Sequence, residues 1–182
     1  MQLCKAWPDF LPLKHFNWEV HFTLNGDGDV AQQVTKENYL HETQFALLGC
    51  QLVEEGLKSY ICTAYEAIRL SGSNTNIIKH TVAEIEELAL GPLIRLFEPL
   101  NANATLITKL KGLCPKRNHC AHKAFVLVFM ADVRLTIDLN AEFEKVKEAR
   151  VFAWDTFQIL TPELHSNEAK INALRAPASA RI

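Results

Sequence analysis

FALLGCQLVEEGLKSYICTAYEAI, Phe45 to Ile68, decides the fold class. Phe45, Leu48 and Leu52, then Val53, Leu57, Tyr60, Ile61, Ala64 and Ile68, recur at three- and four-residue intervals. That period places apolar side chains on one stripe of a helix and polar ones opposite. A stripe this long buries only against other helices. Ser71-Gly72-Ser73-Asn74 ends it, because such clusters favour turns.

Further helices follow from their punctuation. Thr81-Val-Ala-Glu84 has the form of a capping box, so a helix starts there. Gly91-Pro92 interrupts that segment and predicts a kink or restart, and Pro99 ends it. Another helix is expected over about 104–113, with Gly112 and Pro115 marking its end. Pro115 then becomes the first residue of a following helix that carries the apolar run Ala124 to Ala131. Val133 to Asp138 (VRLTID) alternates and reads as extended or as a turn. A last helix fits about 140–160, with Phe143, Val146, Ala149, Ala153, Phe157 and Leu160 on one face, and the tail APASARI frays. Strand signals are few. The class is all-α, a helical bundle. Residues 1–36 read as an N-terminal extension packed on the bundle, 37–163 as the helical domain, and 164–182 as a C-terminal helix or tail.

Composition bounds what such a bundle does. The chain has 182 residues, 48% of them apolar, and a net charge of -2, with a pI near 6.4. One domain with a full core fits that length, and the charge argues against coating nucleic acid by bulk electrostatics. The opening MQLCKAWPDF lacks a charged start followed by an apolar core, so no secretory leader is expected. The longest clean apolar run, Phe125 to Ala131, is too short to cross a membrane. Cys4, Cys50, Cys62, Cys114 and Cys120 are odd in number and form no CxxC pair, which reads as reduced thiols of a cytoplasmic protein. The Asn103-Ala-Thr105 sequon carries no weight there.

CPKRNHCAH, Cys114 to His122, is the densest polar stretch and abuts the apolar run. With Pro115 in a first helical turn, Asn118 and His122 lie four apart on one face, with His119 beside them. Arg117 is rotated away, but its long side chain reaches round the helix end. A helix N-terminus favours anions, phosphate above all. Between Glu98 and Asp132 the chain has no acidic residue, while Lys109, Lys111, Lys116, Arg117 and Lys123 fall inside, so a local basic patch is expected.

Arg117-Asn118-His119-Cys120-Ala121-His122 resembles the R-x4-H motif of the HEPN family (higher eukaryotes and prokaryotes nucleotide-binding domains), including the polar residue after the arginine. The surroundings are similar too: a long earlier helix (Phe45 to Ile68), a Leu-Gly-Pro-Leu helix start (Leu90 to Leu93), and an apolar helix after the motif. The resemblance spans roughly residues 38–160. It implies a HEPN-like bundle and a metal-independent endoribonuclease of a toxin or defence system, acting as a homodimer with two motifs facing each other. His122 would transfer protons, Arg117 would stabilise the phosphate and transition state, and Asn118 would support them. Lys109, Lys111, Lys116, His119 and Lys123 would hold RNA. An antitoxin partner is implied as well. Members with a partner nucleotidyltransferase often carry tyrosine two residues after the histidine. Here His122-Lys123-Ala124 puts alanine there, which argues against that mode of control. Other members are non-catalytic, so the alternative is a HEPN-like module binding a nucleotide, RNA or a partner protein.

Rival chemistries fit less well. Cys114, His119, Cys120 and His122 lack the paired spacing of zinc knuckles and the HExxH pattern, so no metal is expected. LNGDGDVAQQVTKE, from Leu24, puts Val30 where a calcium loop needs glycine and Lys36 where it needs glutamate, and reads as a turn. No cofactor is expected. Glu54 and Glu55 on the long helix are surface residues or neighbours of the motif. Trp7, Phe10, Phe16, Trp18 and Phe22 complete a core or an interface. Cys120, at a helix start, would be sensitive to oxidation.

Overall fold

A computed structural model describes residues 34–72, 75–130 and 138–176. The aromatic N-terminal segment, the Leu24 turn, residues 131–137 of the VRLTID region and the last six residues lie outside the described residues.

All described regular structure is helical. Helix α1 spans Lys36–Leu70, capped by the Thr35 hydroxyl on the Asn38 N–H. Helix α2, Val82–Glu86, starts at the expected capping box, where Thr81 accepts from the Glu84 N–H and Glu84 accepts from the Thr81 N–H. Helix α3, Leu90–Phe97, is the restart expected at Pro92, and a 3-10 turn at Glu98–Leu100 follows. Helix α4 spans Ala104–Asn118, continues into a π-helical turn at His119–Ala124, and passes directly into α5, Phe125–Met130. Helix α6 spans Leu139–Arg175, much longer than expected, and carries Pro162 inside it.

Helices α1 and α6 run parallel. Val34 pairs with Asn140, Glu42 with Arg150, Tyr60 with Asn167 and Glu66 with Arg175. The offset stays between 106 and 109 residues along the length. The segment from α4 into the π-helical turn returns antiparallel to both, so Lys109, Lys116 and His119 meet Asp155, Glu148 and Glu142 in reverse order. The bundle is therefore up, down and up.

Its main core joins Val53, Leu57 and Ile61 of α1 to Leu93 and Phe97 of α3, Leu106, Leu110 and Leu113 of α4, and Phe157 and Leu160 of α6. A smaller core lies nearer the start of α1, where Tyr39 and Ala46 meet Cys120, Ala124, Val128, Val146 and Ala149.

The stripe on α1 is phased differently from the spacing of its large apolar residues. Val53, Leu57, Tyr60, Ile61 and Ala64 are buried as expected, but Leu48 is 43% exposed, and Ala46, Gly49 and Cys50 take the contact positions. The reason is close approach. A Cβ at Gly49 would stand 3.0 Å from the Ala153 Cβ, and one at Gly56 would stand 2.8 Å from Leu160 Cδ2. Only small residues let two helix backbones come this near.

A polar network fixes the far end. The Glu163 carboxylate accepts from the Asn101 and Asn103 side-chain amides at 3.0 and 2.8 Å. Asn101 also donates to the Tyr60 hydroxyl, and Asn103 caps α4 through the Leu106 N–H. One carboxylate of α6 thus holds the start of α4 against α1.

Gly56→Ala should destabilise the fold. Overpacking costs about 1–3 kcal/mol, and alanine's better helix propensity returns at most about 1 kcal/mol. The expected result is a lower urea midpoint at unchanged slope, measured by circular dichroism.

Candidate functional site

Pro115 does not begin a helix. It lies inside α4, three residues before its end. The CPKRNHCAH stretch therefore sits mid-helix, and the anion site expected at a helix N-terminus is not formed. Tertiary packing overrides the local preference: Leu106, Leu110 and Leu113 before the proline and Cys120 and Ala124 after it are all buried in the same bundle. Proline removes one backbone donor and crowds the carbonyl four residues back. The chain answers with a change of pitch. The His119 N–H bonds to the carbonyls of both Pro115 and Lys116, and the following turn widens to π geometry.

That pitch change rearranges the motif. In an α-helix, residues five apart diverge by about 140°. In a π turn each N–H reaches the carbonyl five residues back, so residues five apart approach one another around the axis. Arg117 lies in the last turn of α4 and His122 within the widened turn. Cys120, Ala124 and Val128, each four apart, stay in the smaller core.

Arg117 follows Leu113 on the inward face, contrary to the expected rotation away. Its Nε donates to Glu54 Oε1 at 3.1 Å, and the Glu54 side chain is only 13% exposed. Glu54, read from sequence as a surface residue or a neighbour of the motif, is the arginine's anchor on α1. Asn118, His122 and Lys123 are exposed, and no ion pair to His122 or Lys123 exists among the described residues. His119 turns away from them toward α6, with Nε2 at 3.2 Å from Glu142 Oε2. These two atoms are close but not aligned as a hydrogen bond, and Tyr39 Oη also has no hydrogen-bond partner among the described residues.

The other predicted RNA-binding cations are dispersed among acidic partners. Lys109 meets Asp155 at 3.8 Å, Lys111 meets Glu98, and Lys116 meets Glu148. The run free of acids in sequence is bordered by acids in space, supplied by α6 and by the Glu98 turn. No group of three or more His, Cys, Asp or Glu side chains suited to a metal exists among the described residues. No described helix is long and apolar enough to cross a membrane.

The thiols are sheltered. Burial, and then the neighbouring Cys120, push the Cys50 thiol up to about 12. Burial pushes Cys120 up to about 11 against the pull of Lys116. This reverses the expectation of a reactive Cys120, whose thiol sits in the small core rather than at a helix start.

Two predictions follow from this arrangement. Folded Cys50 and Cys120 keep protons that the unfolded chain releases above the ordinary thiol value, so the unfolded state binds fewer protons and stability falls with rising pH. The loss should begin near pH 9 and continue to about 12; urea midpoints at pH 8 and 10.5 measure it, and Cys50→Ala should flatten the decline. In a double-mutant cycle, Arg117→Ala and Glu54→Ala should each lower stability, and the coupling should reach about 0.5–1 kcal/mol for a pair this partly exposed.

No family model, characterised protein or solved structure matches the chain.

Proposed function

We propose that this chain is a HEPN-like, metal-independent endoribonuclease of a toxin or defence type, working as a homodimer. The observation that carries the proposal is the R-x4-H sequence running from the end of α4 into the π-helical turn, with Arg117 anchored by Glu54 and with Asn118 and His122 exposed. An exposed imidazole without an ionic partner among the described residues is accessible for proton transfer to and from a substrate. A guanidinium held at one nitrogen by a carboxylate still offers its terminal N–H fork to phosphate oxygens.

In this reading the 2′-hydroxyl of RNA attacks the adjacent phosphorus and the bond to the 5′-oxygen breaks. One proton leaves the 2′-hydroxyl and one reaches the departing 5′-oxygen. His122 carries proton transfer, and the partner copy of the motif completes the acid and base pair. Arg117 stabilises charge on the phosphorane oxygens, and Asn118 orients the imidazole or the phosphate. Products are a 2′,3′-cyclic phosphate and a 5′-hydroxyl.

A second reading rests on a different observation. The acidic partners of Lys109, Lys111, Lys116 and Arg117 suit a non-catalytic HEPN-like module that binds a nucleotide, RNA or a protein. One assay separates the two. Purified protein should cleave pooled cellular RNA in EDTA and leave cyclic phosphate ends. His122→Ala should lose at least a hundredfold in rate, as expected for removing a general acid or base, with its unfolding midpoint unchanged. Parent protein that leaves RNA intact selects the binding module.

A further inference from the structure

The seam between α4 and α6 has a feature that ion pairing alone does not explain. Lys109 and Lys116 stand two turns apart on α4, and Gly112 lies midway between them. Phe152 of α6 packs at Gly112, where a Cβ would come 3.1 Å from its ring. Both ammonium groups lie over that ring, at 5.4 and 5.3 Å from its centroid. Asp155 and Glu148 flank Phe152 on α6 and reach the same two lysines. The lysines are held, with side chains only 29% and 24% exposed, whereas the carboxylates are 54% and 68% exposed.

This asymmetry matters. The aromatic ring fixes the cations whether or not the acids are present. Pairs with such exposed carboxylates are weak and easily screened. Two preset ammonium groups two turns apart on one helix face match the pattern of single-stranded nucleic-acid surfaces, in which cations follow the backbone. The carboxylates occupy the places that phosphates would take.

We infer that the Lys109–Phe152–Lys116 seam is a track for single-stranded RNA, and that Glu148 and Asp155 mask it when RNA is absent. The inference rests on the reading of this protein as RNA-binding. It adds Phe152 as the residue that presets the two cations and α6 as an internal competitor. RNA must displace two carboxylates to gain two phosphate contacts, so weak or short RNAs are excluded.

The test uses full-length protein in a His122→Ala background, which binds without cutting, and a fluorescent single-stranded oligoribonucleotide titrated over a range of salt. Glu148→Gln with Asp155→Asn should tighten binding about tenfold at low salt. It should also steepen the log–log salt slope by about 1.4, the value for two added phosphate contacts on a single strand. Glu86→Gln with Glu168→Gln makes the same change in net charge away from the seam, and should change affinity less than twofold. Phe152→Leu should weaken binding in both backgrounds. If the parent binds RNA but the seam variant matches the control pair, the masking inference falls and the RNA reading stands. If no form binds RNA at any salt, the RNA reading falls and takes the inference with it.

Discussion

The rest of the structure depends on the close parallel contact of α1 with α6. Gly49 against Ala153 and Gly56 against Leu160 set how near the two long helices come. That distance fixes the groove into which α3, α4 and the π turn must fit. Leu93, Phe97, Leu106, Leu110 and Leu113 fill it on the apolar side. The pairs Arg117–Glu54, Lys116–Glu148 and Lys109–Asp155 line its two polar rims. Widening the contact would separate each of these sets at once.

Within that frame the motif is shaped by a conflict. Proline breaks the regular ladder of α4, yet the hydrophobic residues on either side demand that the helix go on. Widening one turn settles the conflict and changes which side chains share a face. The proposed chemistry of Arg117 and His122 thus has a backbone cause, a proline two residues ahead of the motif, and a tertiary cause, the burial of Cys120 and Ala124.

Much of the fold was legible in the sequence because much of it is local. The capping box at Thr81, the restart at Pro92 and the period of Val53 to Ala64 are decided by neighbours within four residues. The departures share one origin. Hydropathy ranks large residues such as Leu48 above small ones, whereas a close helix contact selects glycine and alanine. The local preference of Pro115 is to begin a helix, whereas packing on both sides holds it inside. The Arg117–Glu54 pair spans 63 residues, and no spacing rule reports such a partner. The candidate site is therefore legible in its residue types and illegible in its electrostatics, since every acid that borders it comes from another part of the chain.

The constant offset between α1 and α6 also has a consequence for how the chain is made. Helical bundles usually fold quickly because their contacts are local. Here the central seam joins residues more than 100 positions apart. At about 5–20 residues per second of synthesis, α1 emerges roughly 5–20 s before the stretch of α6 that covers it. During that interval its glycine-lined face has only α3 and α4 to lean on. A nascent chain of this kind acquires its native order at the end of translation, and its first helix is the one longest exposed to the wrong neighbours.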